Sequence, residues 1–138
     1  MPMLTTDDEL RTLLTESRTI AVVGLSEKTD RDSNLIARYL QDHSYTIIPV
    51  NPSVDRILGQ KCYPTVAAIG HPVDIVDVFR RPDALPEIVE DVIRSGSKAL
   101  WLQLNVIHEA AARRATEAGL AVVMDRCIAV EHRHLIGR

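Results

Sequence analysis

The stretch AVVGLSEKTDRDSN, residues 21–34, runs from a buried strand through one glycine into a polar loop that opens a helix. Thr19–Leu25 is apolar without alternation and rich in β-branched residues, the pattern of a strand covered on both faces of a parallel sheet. In open parallel sheets the loop after such a strand faces the ligand crevice. Gly24 permits a tight turn and close backbone approach. Ser26 offers a hydroxyl, and Lys28 and Arg31 offer positive charge. Asp32 or Ser33 is expected to cap the helix that follows, and free amides at a helix start favour an anion. The same residues equally suit an ordinary strand-to-helix turn with solvated charges, so the loop by itself leaves both readings open.

Two nucleotide fingerprints are absent. The dinucleotide loop GxGxxG needs three glycines and an acid about 20 residues later for the ribose, whereas this loop has Gly24 alone. The next strand ends in Asn51-Pro52, and the nearest acid, Asp55, follows the turn. No GxxxxGK[ST] phosphate loop occurs.

Working outward, strands and helices alternate. Thr6 caps an acidic first turn, and Leu10, Leu13 and Leu14 at i, i+3, i+4 predict a helix over 7–17. Leu35, Ile36, Tyr39 and Leu40 form the expected stripe of a helix over 33–43. YTIIPVN, residues 45–51, is a second strand, and Pro49 inside it argues for a strand end or an edge position. Residues 52–64 read as a loop, after which Thr65 caps a short turn through Ile69. A third strand over 73–79 ends at Arg80-Arg81-Pro82-Asp83. Pro82 or Pro86 then sits in the first turn of a helix carrying Leu85, Ile88, Val89, Val92 and Ile93 to Gly96. A fourth strand over 98–104, a helix over 108–118 closed by Gly119, a fifth strand over 121–125 and a last helix complete the chain. The expectation is an α/β fold in three layers, a doubly wound, Rossmann-like sheet of about five parallel strands. One domain takes the whole of 1–138, with an N-terminal helix in 1–17 and the core in 18–138.

Composition narrows the classes. Net charge is -3, and Lys and Arg form no stripe, so nucleic acid is not an expected partner. No apolar run approaches the ~20 residues that cross a bilayer, and the N-terminus lacks the basic start of a signal peptide. The two cysteines, Cys62 and Cys127, make no CxxC, so no metal is expected, and they read as reduced thiols of a cytoplasmic protein. His132 and His134, at i, i+2, read as surface residues. Cys127 is expected to be buried as a small hydrophobe, with thiol chemistry at the ligand rim as its sharper alternative.

AVVGLS, IIPVNP, ILGQKCYPTV, VDIVDVFRRPD, ALWLQ and GLAVVMDRCI stand in an order and spacing that resembles the small single-domain CoA-binding proteins. These are similar to the CoA-binding Rossmann domain of the succinyl-CoA synthetase α subunit. The resemblance runs from about Arg18 to Leu135. It implies coenzyme A, or an acyl-CoA, lying across the carboxyl ends of the strands. Carried over by position, Gly24, Ser26 and the Arg31–Ser33 segment would hold phosphates. Val50, Asn51 and Pro52 would flank the adenosine, Phe79 and Arg80 would line the other side, and Gln103 would approach the pantetheine. Lys28, Arg31, Arg80 and Arg81 stand ready around one rim for a pyrophosphate and a 3′-phosphate, unless Arg80 and Arg81 simply pair with Asp77 and Asp83. The family usually has a glycine shortly after WLQ. Here Asn105 takes that place, and asparagine tolerates positive φ best among the alternatives.

In the synthetase a phosphorylated histidine in a separate domain does the chemistry, and neither that domain nor a nucleophile-base constellation is evident here. The expected role is therefore a non-catalytic CoA carrier, sensor or regulatory module. An NAD(P)- or other nucleotide-binding sensor, an acyl-CoA enzyme component needing a partner, and an interaction domain that has lost its ligand are the rivals. A protein partner or a homodimer stays open.

Overall fold

In the computed structural model, residues 3–137 are described, so Met1, Pro2 and Arg138 of the expected domain lie outside the described residues. Helix α1 (Asp7–Glu16) starts on a capping box, with the Glu9 amide donating to Thr6 Oγ1 at 3.2 Å and the Thr6 amide donating to Glu9 Oε1 at 3.1 Å. Then follow β1 (Thr19–Val23), α2 (Asp32–Asp42), β2 (Thr46–Val50), β3 (Arg56–Ile57), β4 (Gln60–Lys61), β5 (Ile75–Val78), α3 (Leu85–Ser95), β6 (Ala99–Leu102), α4 (Glu109–Glu117), β7 (Ala121–Val123) and α5 (Ile128–Leu135). Short 3₁₀ turns cover Ala67–Ile69 and Pro82–Ala84. Thr65 Oγ1 accepts from the Ala68 amide, the expected cap.

Five strands form one parallel sheet in the order β2-β1-β5-β6-β7. β2 is an edge, which is where Pro49 can stand without removing a ladder bond. Side chains alternate between two aliphatic cores. Ile20, Val22, Ile75, Trp101 and Val123 face α1, α2 and α5, while Ala21, Val23, Val76, Leu100 and Val122 face α3 and α4. Three layers result, as expected. The chain leaves β1 toward β2 and returns on the other side of β1 to β5, so strand order reverses between β1 and β5. Among the described residues no helix is long and apolar enough to cross a membrane.

Four expectations are corrected. Residues 52–64 are not all loop: β3 and β4 pair as an antiparallel hairpin. Its turn is Leu58-Gly59, both at positive φ, and leucine there is not a turn signature. Ile36, Tyr39 and Leu40 of the expected α2 stripe pack on the core, but Leu35 is 48% exposed, and Ser33, Asn34 and Ala37 are buried instead. Neither Asp32 nor Ser33 caps α2: the N-cap is Arg31 and no side chain closes it. His132 is 4% exposed rather than on the surface, because α5 turns it against Tyr39 of α2 and Tyr45, just before β2.

Candidate functional site

The reversal of strand order opens the sheet between the carboxyl ends of β1 and β5, and Gly24 and Phe79 meet there. Gly24 has φ 83°, and its amide donates to Val50 O at 3.1 Å. A Cβ on Gly24 would collide with the carbonyl oxygen of Phe79 and stand 2.9 Å from Arg80 Cδ. The glycine therefore serves the crossing of two strand-end loops as well as a tight turn.

The loop after β1 is bound down onto α2. Ser33 Oγ, free of the cap role, accepts from the Ser26 amide at 3.0 Å. Asn34, 1% exposed, donates through Nδ2 to Ser26 O at 2.9 Å and accepts from Arg38 Nε at 2.9 Å, while Arg38 Nη2 reaches Thr29 O. Ser26 Oγ accepts from the Lys28 amide. Asn34 is the residue that sequence reasoning missed; an asparagine in the first turn of a helix, opposite a serine loop, was its one signal. The amides of Asp32 and Ser33 make no hydrogen bond among the described residues, so the positive end of α2 is open.

Of the rim cations, Lys28, Arg31 and Arg80 are exposed and form no ion pair among the described residues. Arg81 lies 3.4 Å from Asp83. Asp77 takes no part in that cluster: it is fully buried on β5, between Val22 and Trp101. Glu27, Asp30, Asp32 and Asp83 match Lys28, Arg31, Arg80 and Arg81 in number. Net charge thus draws no anion here; the arrangement of open amides and unpaired guanidinium groups is what can hold one.

Arg80 stands between two crevices. The larger, about 570 Å³, runs past Val23, Val50, Pro64 and Ile88. The other, about 430 Å³, passes Ile36, Phe79 and Arg81 and reaches Gln103, Asn105 and Cys127. Val50 is buried behind the first and Pro52 is exposed beyond it. Asn51 is spent on the protein itself, donating to Leu25 O at 3.0 Å and accepting from the Ser53 amide at 2.8 Å. It braces β2 to the loop after β1, and it offers a neutral amide, one lone pair of its oxygen already engaged, where a dinucleotide site has a carboxylate. Gln103 is 5% exposed, and its Oε1 accepts from the Ile128 amide at 3.1 Å. Asn105 has φ 67°, the left-handed backbone expected where the family has glycine. Cys127 is half-buried, not sunk in the core, because it stands at the N-cap of α5 beside this second crevice.

Two buried titratable groups carry perturbed charge states. Among the described residues no hydrogen bond reaches either carboxyl oxygen of Asp77, and burial pushes its carboxyl well above the usual carboxylate range. At the opposite ends of the strands, His132 Nδ1 lies 2.8 Å from Tyr39 Oη, beside a cavity of about 420 Å³. Burial, helped by nearby His43, pushes His132 down, so it is neutral at pH 7.

Residues 18–133 match the CoA binding domain family. An uncharacterized protein, YneT, of Bacillus subtilis is 41% identical over 124 residues, which cover 90% of this chain and 92% of that one. A solved structure of a hypothetical protein from Pyrococcus horikoshii superposes with a TM-score of 0.93 at 42% identity, covering 96% of this chain and 94% of that chain. The ADP-forming acetate–CoA ligase I of Archaeoglobus fulgidus is 27% identical over 121 residues; they cover 80% of this chain but only 18% of the ligase. With a reversed strand order and an open crevice at the place where such sheets take ligands, the chain belongs to the CoA-binding domain family.

Proposed function

We propose that the chain binds coenzyme A or an acyl-CoA across the carboxyl ends of β1, β2, β5 and β6, as a non-catalytic carrier, sensor or regulatory module. The observation that carries this reading is Arg80, unpaired between two crevices. CoA needs that layout: phosphates in the middle, an adenosine to one side and a long pantetheine to the other. Lys28 and Arg31 supply charge for the phosphates, Ser33 with Asp32 supplies the open amides of α2, and Gly24 and Ser26 shape the loop that borders them. Val50, Asn51 and Pro52 border the adenosine side. Phe79, Arg80 and Gln103 line the way to the thiol. Asn51 stands where a dinucleotide site wants an acid, a neutral amide in place of a carboxylate acceptor, which disfavours NAD.

A thermal-shift series with CoA, acetyl-CoA, NAD, NADP and ATP tests the reading. A ligand at 100 times its Kd adds about 2.7 kcal/mol. CoA or acetyl-CoA is expected to stabilise; stabilisation by NAD without CoA overturns the proposal.

A second reading, an acyl-CoA enzyme component that works with a partner, draws on the relation to the acetate–CoA ligase, of which this chain matches only 18%. Acetyl-CoA formation from acetate, CoA and ATP by this chain alone would favour an enzyme outright. Activity only after adding a ligase lacking the matching domain would favour the component.

A further inference from the structure

The smaller crevice joins groups of different chemistry in one space. Arg80 and Arg81, Phe79 and Leu104, and Gln103 and Cys127 all line it. Gln103 is itself a sign of a ligand. A backbone amide can only donate, so the bond from the Ile128 amide identifies Oε1 and leaves Nε2 as the outer end of the side chain. That Nε2 makes no hydrogen bond among the described residues, although the residue is 5% exposed and lines the crevice. In a residue that is otherwise buried, these N–H groups stay open to the crevice for an acceptor, and a pantetheine arm brings two amide carbonyls between its phosphates and its thiol. Cys127, next to the Ile128 amide that Gln103 accepts from, is in no disulfide and also lines a second depression of about 430 Å³ past Met124 and Glu131. Cys62 differs: it is 8% exposed, away from both spaces, and burial pushes its thiol up.

We propose that Cys127 captures the sulfur of coenzyme A as a reversible mixed disulfide, which makes the chain a redox-linked CoA holder; this rests on the CoA-binding reading above. In the step, the Cys127 thiolate attacks one sulfur of CoA disulfide. A protein–CoA S–S bond forms, the CoA–CoA S–S bond breaks, and one CoA leaves as its thiolate, which takes up a proton from water. The second depression receives the departing half. A small thiol such as reduced glutathione reverses the step by the same exchange.

The test incubates the protein with CoA disulfide or, separately, with glutathione disulfide at equal concentration, and follows intact mass and peptide maps over time. One CoA is expected on Cys127, at least about tenfold faster than glutathione because binding raises the local concentration of the sulfur. The adduct should vanish with dithiothreitol and in Cys127→Ser. Desthio-CoA, which lacks the thiol, should slow it. Equal rates for the two disulfides, or labelling of Cys62 instead, overturn the capture. The thermal shift of the unmodified protein by desthio-CoA separates the two proposals. A shift without an adduct sinks the capture alone; neither shift nor adduct sinks the CoA-binding reading as well.

Discussion

Gly24 and the carbonyl of Phe79 occupy neighbouring space so tightly that no Cβ fits between them, and this contact joins the two strand ends at the point where the sheet reverses. Two constraints act on the same residue. The backbone is left-handed at φ 83°, which costs a non-glycine residue about 1–2 kcal/mol. The obstruction is backbone and cannot swing aside.

Gly24→Ala is therefore expected to lose at least about 2 kcal/mol of stability, the sum of a strained φ and a forced shift of the 79–80 backbone. Urea unfolding of both proteins measures it. A midpoint equal to that of the parent would show that the two loops separate freely.

Arg31 and Arg80 stand exposed and unpaired on either side of the Gly24 turn. If they hold phosphates, Arg31→Ala together with Arg80→Ala weakens CoA binding by about tenfold or more and flattens its salt dependence. Isothermal titration at low and high salt reads both effects. Unchanged affinity removes the two arginines from the site.

Asp77 binds its proton in the folded chain at pH values where the unfolded chain has released it, since burial raises the folded value. The folded state then holds more protons, so stability falls as pH rises from about 4 toward the folded value, by at most about 1.4 kcal/mol per pH unit. Asp77→Asn cannot ionise in either state. Its stability relative to the parent should climb between pH 5 and pH 7. Parallel curves in denaturant titrations at those two pH values would mean that Asp77 is not held protonated.

His132 has the opposite sign. Its folded value is lowered, so the unfolded chain binds the proton more readily and stability is lost as pH drops below about 6.5. Tyr39, His43 and Tyr45 face the ring, and Arg133 lies over the Tyr39 ring, so no acid among these groups offsets the new charge. His132→Phe should lose less stability than the parent between pH 7.5 and pH 5.5, whatever its stability at pH 7.5. An equal loss would assign the acid sensitivity elsewhere.

The five main strands, their order along the chain, the cap at Thr6 and the closing glycines at 96 and 119 were all legible in sequence, because each depends on local period, caps or turn chemistry. The β3–β4 hairpin was not: two-residue strands have no period, and Leu58 turns against its preference. At the site, Gly24 could be read as a turn glycine, but its collision with Phe79 could not, since the two are separated by a whole strand, helix and hairpin in the chain. Ser33 read as a cap because serine at a helix start usually caps; the nearby Ser26 amide competed for the same oxygen and won.

What the sequence determined by itself is the parallel α/β class and the membership carried by residues 18–133, since buried aliphatic runs alternating with amphipathic segments leave a chain few other ways to cover its apolar surface. What only the tertiary structure decided is which polar groups remain free to meet a ligand. The Asn51 side chain and Ser33 Oγ are engaged by their neighbours, whereas Arg80 and the amides of Asp32 and Ser33 are not. Each donor satisfies one partner at a time, and the competing partners come from strands and loops far away in the sequence.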